Sequence, residues 1–214
     1  PGDTLTCTVT PFDGLHSGAS MSASVTIQNA PPVVTSVALS PDPAFGDDTL
    51  TCTAGYTSDA DGTSTFLYQY RWFINDSMVM GATSSTLSPA SFNKDDTVQC
   101  AIAANDGIDV GEYTPSNMIS VQNSVPEITS ITILPENAKT NDTLSVLVDA
   151  TDGDGDMVTS DVDWYVNGEL VSSLPTLDGF IAFSKGDEVY VEVIPSDGDD
   201  DGIQTTSAPI TIQN

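Results

Sequence analysis

The stretch DTVQCAIAANDG, Asp96 to Gly107, decides the fold, because the chain carries it three times. Asp3 to Gly14 reads DTLTCTVTPFDG, and Asp187 to Gly198 reads DEVYVEVIPSDG. Each copy alternates apolar and polar residues and then enters Asp-Gly, the pattern of a half-buried strand running into a tight turn. Each is therefore the same strand of the same module. The repeat, with a period of about 90 residues, divides the chain into 1–29, 30–123 and 124–214.

Of the 214 residues, 31 are acidic, and only Arg71, Lys94, Lys139 and Lys185 oppose them, for a formal charge of −27. That balance excludes nucleic acid and anionic membranes as partners. Six of the acids are Glu and 25 are Asp, the acid that suits turns and oxygen-ligand cation sites. No apolar run approaches the ~20 residues of a membrane span, so membrane insertion is not expected.

Residues 1–29 supply one copy of the repeated strand, the Asp13-Gly14 turn and a closing strand that ends in IQN. A like ending returns as ISVQN at Asn123 and ITIQN at Asn214, and proline-bearing junctions follow Asn29 and Asn123. Such junctions read as short and stiff. The two longer modules match strand for strand. In each, a central strand places Trp72 or Trp164 on an inward face and ends in a hairpin turn, Asn75-Asp76 or Asn167-Gly168. No segment has a capped helical period. The expectation is all-β: antiparallel β-sandwich modules stacked end to end, with 1–29 as the last two strands of another.

Cys52, Trp72 and Cys100 resemble the immunoglobulin-type pattern of two sheet-bridging cysteines around a tryptophan. Across the whole chain, GD-x-L-x-C, D-x-DG, W-x-x-N, K-x-D-x-V and PxDG resemble the tandem Ig-like, PKD-like and cadherin-like repeats of large bacterial surface and secreted proteins. The resemblance implies an Ig-like sandwich, although Val98 and Val189 stand where antibody domains have a tyrosine. Aligned on the repeat, Cys52 and Cys100 correspond to Val146 and Val191, so the third module has lost both together. A bonded pair explains that better than two buried thiols, and it implies an oxidising, extracellular setting, secreted or at a cell surface. Cys7 aligns with Cys100 and calls for a cysteine outside these residues, from upstream polypeptide or an identical subunit.

Asp152, Asp154 and Asp156 alternate in a glycine-rich loop, as the first half of a calcium loop does. The middle module keeps Asp59 and Asp61 but has Thr63 in third place, so its site should be weaker. In an Ig-like topology, Asp197, Asp199, Asp200 and Asp201 share one end of the sandwich with Asp152 to Asp156. Calcium would offset the repulsion of so many carboxylates. Solvated turns, with Asp-Gly chosen for geometry alone, are the plain alternative.

His16 is the only histidine, which rules out a Ser-His-Asp triad or multi-histidine metal centre within the chain. No enzyme is expected. Lys94 and Lys185 read as surface lysines in equivalent turns, and Asn75 and Asn141 head glycosylation sequons. Two functions stay open. One is a structural segment of an extracellular filament, stalk or adhesin, on the order of 100 Å long, whose partners are neighbouring modules of one polymer or identical subunits. The other is a carbohydrate- or partner-binding accessory module, for which Tyr68, Phe73, Tyr113 and Tyr165 are the outward aromatics.

Overall fold

The computed structural model describes residues 1–214, and its regular structure is almost wholly strand, with one 3₁₀ turn, Pro89–Ser91, and one four-residue helix, Gly179–Ala182. The chain forms two compact units. The first comprises Pro1–Ala44, Thr49–Phe92 and Asp96–Ser120; the second comprises Phe45–Asp48, Asn93–Asp95 and Val121–Asn214.

In the first unit a three-stranded sheet, ordered Val37–Ser40, Leu50–Ala54, Thr86–Leu87, faces a larger sheet organised around Thr97–Asn105. That strand pairs antiparallel with Leu67–Ile74 on one side and with Thr114–Pro115 and Ile119–Gln122 on the other. Alternation puts Val98, Cys100 and Ile102 inside with Trp72, which is fully buried and lies opposite Cys100 in register. Trp72 Nε1 donates to the Ser84 carbonyl at 2.9 Å, so its burial strands no polar group. Cys52 and Cys100 are bonded, with their Cα atoms 6.2 Å apart. The hairpin after Ile74 turns through Asn75 and Asp76, both at positive φ (49° and 62°), as a two-residue turn of this twist requires.

The second unit repeats this plan. Glu127–Leu134, Thr143–Thr151 and Thr176–Asp178 form one sheet; Glu169–Ser172, Thr159–Val166 and Glu188–Ser196, with Thr205–Thr206 and Ile210–Thr211, form the other. Trp164 sits opposite Val191, fully buried among Leu144, Val189, Val193 and Ile212, and donates to the Leu174 carbonyl at 2.9 Å. Val191 is fully buried. Val146 is only half-buried and lines an open cleft of about 300 Å³ with Val162 and Leu174. With no covalent bridge to complete, its side chain need not reach the opposite sheet.

Both units hold one buried hydroxyl in the last strand. Ser116 Oγ accepts the Cys100 N–H at 3.1 Å, and Ser207 Oγ accepts the Val191 N–H at 3.1 Å. Each serine hydroxyl then donates to the next residue's carbonyl, so the break between the two halves of that strand leaves no orphaned donor.

Residues 1–29 form a separate two-stranded hairpin, Thr4–Val9 with Met21–Thr26. Its register sorts the faces completely. Leu5, Cys7 and Val9 stand opposite Val25, Ala23 and Met21 on one face; on the other, Thr6–Ser24, Thr8–Ser22 and Thr10–Ser20 hydroxyl pairs meet at 2.8, 2.7 and 2.6 Å. The apolar face is exposed, and Cys7 is exposed and unbonded.

Because 48 residues separate Cys52 from Cys100, reducing their bond restores about 4 kcal/mol of chain entropy to the unfolded first unit. Hydrogen exchange should therefore accelerate across Thr97–Asn105 on reduction while Glu188–Ser196 stays protected. Equal acceleration in both strands would contradict two separate cores.

Candidate functional site

The Asp-Gly turn after each repeated strand is built on one carboxylate. Asp197 Oδ1 accepts the N–H groups of Asp199 and Asp200, both at 2.8 Å. Asp106 Oδ1 does the same for Ile108 and Asp109 at 2.7 and 2.8 Å, and Asp13 Oδ1 for Leu15 and His16 at 2.9 and 2.7 Å. Folding the turn this way leaves Oδ2 pointing outward. An asparagine takes it. Asn123 Nδ2 donates to Asp197 Oδ2 and Asp200 Oδ2, each at 3.0 Å, and Asn29 Nδ2 donates to Asp106 Oδ2 at 2.8 Å and Asp109 Oδ2 at 3.0 Å. Asn29 and Asn123 are the asparagines of the IQN and VQN endings that close the first two repeats.

The second acidic loop works alike. Asp152 Oδ1 accepts the Asp154 N–H at 2.8 Å, and Asp154 Oδ2 accepts the N–H of Ser124, the residue after Asn123, at 2.6 Å. In the first unit Asp59 Oδ1 accepts the Asp61 N–H and Asp61 Oδ2 accepts the N–H of Ala30, the residue after Asn29, both at 2.7 Å. Each pair of loops thus grips two consecutive residues, one by its side chain and one by its backbone.

The second unit adds a cation. Lys94 Nζ lies 2.5 Å from Asp156 Oδ2 and 2.6 Å from Asp199 Oδ2, and donates to Asn123 Oδ1 at 3.1 Å. These contacts orient the Asn123 amide: its NH₂ faces carboxylates and its oxygen faces the ammonium. Hydrogen bonds to Asp156 and then Asp199 push the Lys94 ammonium well above the ordinary lysine value.

Of the metal ligands expected from sequence, Asp152, Asp154 and Asp156 converge, with carboxylate oxygens within 4.8 Å of one another. Asp199 meets Asp156 through Lys94, Asp197 is taken by Asn123, and Asp59 and Asp61 have no third carboxylate. Asp152 Oδ2, Asp154 Oδ1 and Ser124 Oγ are buried and have no hydrogen-bond partner, and the same holds for Asp59 Oδ2 in the first unit. Asp47, Glu127, Ser124 and Asp152 line one open cleft beside them. Gly46 is needed here: a Cβ on it would lie 1.9 Å from Asp154 Oδ1. The donors are all hard oxygens, the set a calcium-sized cation requires, and three of them lack another partner.

Sequence reasoning passed over Asn29, Asn123 and Lys94. The recurring Gln-Asn ending is the asparagines' one visible signal, and by itself it marks only a module end. Elsewhere, Asn75 of the first sequon is engaged: its Nδ2 donates to Asp96 at 2.7 Å and its Oδ1 accepts the Thr97 N–H at 2.9 Å. Asn141 is exposed. Among the aromatics, Tyr113 is covered by the Arg71 guanidinium at 3.7 Å, and Tyr165 is stacked on Tyr190 at 5.0 Å.

No protein-family model and no curated protein matches the chain. Similar solved structures include the FN1–FN3 domains of chicken CNTN1 (12% identity, TM-score 0.33, covering 100% of this chain and 76% of that one). Others are a two fibronectin type III domain segment of chicken tenascin (12%, 0.38, 82% and 97%) and the chicken interferon gamma receptor alpha chain (10%, 0.42, 87% and 100%).

The Asp200 N–H, then Asn123 and the Asp199 N–H, hold the Asp197 carboxyl down to about 2. A lowered folded value contributes stability that is fully present above the unfolded value near 3.9 and is lost as pH falls through about 2. In salt that screens the general repulsion, the stability difference between wild type and Asp197→Asn should shrink from pH 4 towards 2. A difference independent of pH in that window would remove Asp197 from the clamp.

Proposed function

We propose that this chain is a non-catalytic structural segment of an extracellular repeat protein. The observation that carries this reading is the clamp that occurs twice, in which the last asparagine of one repeat and the residue after it are held by the two acidic loops of the next. A device that recurs with the repeat and binds only neighbouring chain has the chemistry of a connector. The Cys52–Cys100 bond favours an oxidising compartment, and no helix is long and apolar enough to cross a membrane. The apolar face of the hairpin, Leu5, Cys7, Val9, Met21 and Val25, supports completion by outside strands that bring a cysteine to Cys7, from the same polymer or an identical subunit. Carbohydrate binding is less well supported, because Tyr113 and Tyr165 each have a face already covered.

Calcium is part of this reading. Asp152, Asp154 and Ser124 would supply oxygens to it, with Asp47 and Glu127 lining the adjoining cleft, and support comes from the three orphaned buried oxygens. At the ~10⁻³ M dissociation constants of extracellular sites, a tenfold excess of calcium stabilises by about 1.4 kcal/mol. Melting with calcium and with chelator should show a higher midpoint with calcium, a shift that Asp154→Asn reduces and Asp61→Asn does not. Equal shifts in both variants, or the same shift with magnesium, would reduce the effect to screening.

A further inference from the structure

The repeat alignment shows three positions that change together. Lys94, Asp156 and Asp199 form one ionic group, and the residues aligned with them one repeat earlier are Pro1, Thr63 and Ile108. None of those three side chains is charged. A cation that arrives together with both of its carboxylates, at three positions far apart in sequence, is the pattern of groups that act on one another.

Alignment in the other direction places Lys185 at Lys94 and Asn214 at Asn123. Their backbone frame is the same. Asp95 and Gly186 follow the two lysines at positive φ (68° and 89°), and each donates its N–H to the last strand, at Val121 and Ile212, at 2.9 Å. The hairpin asparagine then braces each turn, Asn75 to Asp96 at 2.7 Å and Asn167 to Asp187 at 2.9 Å. The surroundings differ. Lys185 and Asn214 are exposed, and neither side chain has a hydrogen-bond or ionic partner.

We propose that Lys185 and Asn214 form a docking head for a further β-sandwich repeat carrying two acidic turns like Asp152–Asp156 and Asp197–Asp200. The Asn214 amide enters an Asp-x-x-Asp turn, and the Lys185 ammonium sits between one carboxylate from each turn. This deepens the repeat-protein reading and rests on it. A second copy of this chain is a poor partner, because Lys94 and Asn123 already occupy its complete acidic pair. Its Asp106 turn is taken by Asn29, and its Asp13 turn has Leu15 and His16 where Asp199 and Asp200 stand.

The test extends the full chain beyond Asn214 with another copy of its own residues 124–214, so that the head is offered acidic turns of known sequence. In the extended chain, Lys185→Gln should lower the unfolding midpoint by on the order of 2 °C at low salt, and Asn214→Ala should act likewise. A double-mutant cycle between Lys185 and the appended copy's Asp199 should show coupling of roughly threefold in the unfolding equilibrium constant. In the 214-residue chain the same substitutions should change nothing. Additive effects in the cycle, or equal effects in both chains, would overturn the docking head. Small-angle scattering on the same proteins separates the two readings: a maximum dimension that does not grow by roughly 30 Å overturns the connector, whereas growth without coupling overturns only the head.

Discussion

The interaction on which the rest depends is the hydrogen bond from a backbone N–H to an aspartate oxygen. A chain with a formal charge of −27 must dispose of its carboxylates without burying them unpaired. Here each key aspartate divides its two oxygens. One closes its own turn, as Asp13, Asp106 and Asp197 do, and the other is left for a donor from elsewhere. Because the donors favour the ionised form, Asp13, Asp106 and Asp197 all have lowered pKa values, so the turns hold their charge in mildly acidic surroundings.

The sandwich cores set where those turns stand. Trp72 and Trp164 fix the register of the central strand against the repeated strand, opposite Cys100 and Val191, and the repeated strand delivers its Asp-Gly turn at a constant distance beyond. A disulfide in one unit and valines in the other serve the same register. The exchange is asymmetric: Val191 keeps the buried place of Cys100, while Val146 lies half-open where Cys52 was closed in. Losing the bond therefore relaxes one sheet locally and leaves the acidic turn where it was.

Much of this was legible in the sequence, for reasons tied to period and backbone. Strand alternation, the inward tryptophans and the hairpin at Asn75-Asp76 follow from local rules that do not depend on the partner strand. The convergence of Asp152, Asp154 and Asp156 follows from their spacing alone. The clamp was not legible, because Asn123 and Asp197 are 74 residues apart and an amide carries no charge to mark it. Lys94 looked like any surface lysine, since nothing local distinguishes it from Lys185. Ser116 and Ser207 were hidden too: a buried serine in a broken strand reads as an ordinary polar residue until the orphaned N–H it serves is known.

Lys94 and the proposed calcium site of the second unit are not alternatives. Lys94 neutralises the outer pair, Asp156 and Asp199, whereas the unpartnered oxygens belong to Asp152, Asp154 and Ser124. One ammonium adds a single positive charge to a region holding Asp152, Asp154, Asp156, Asp197, Asp199, Asp200 and Asp201, so it cannot balance them. It also cannot fill an oxygen-lined gap behind the loop, because its three N–H donors are directed at Asp156, Asp199 and Asn123. A lysine fixed by the sequence supplies the outer contact without any bound ion, although salt screens it. On the calcium reading proposed above, the inner oxygens would be the part of the clamp that responds to the hard cations of the medium.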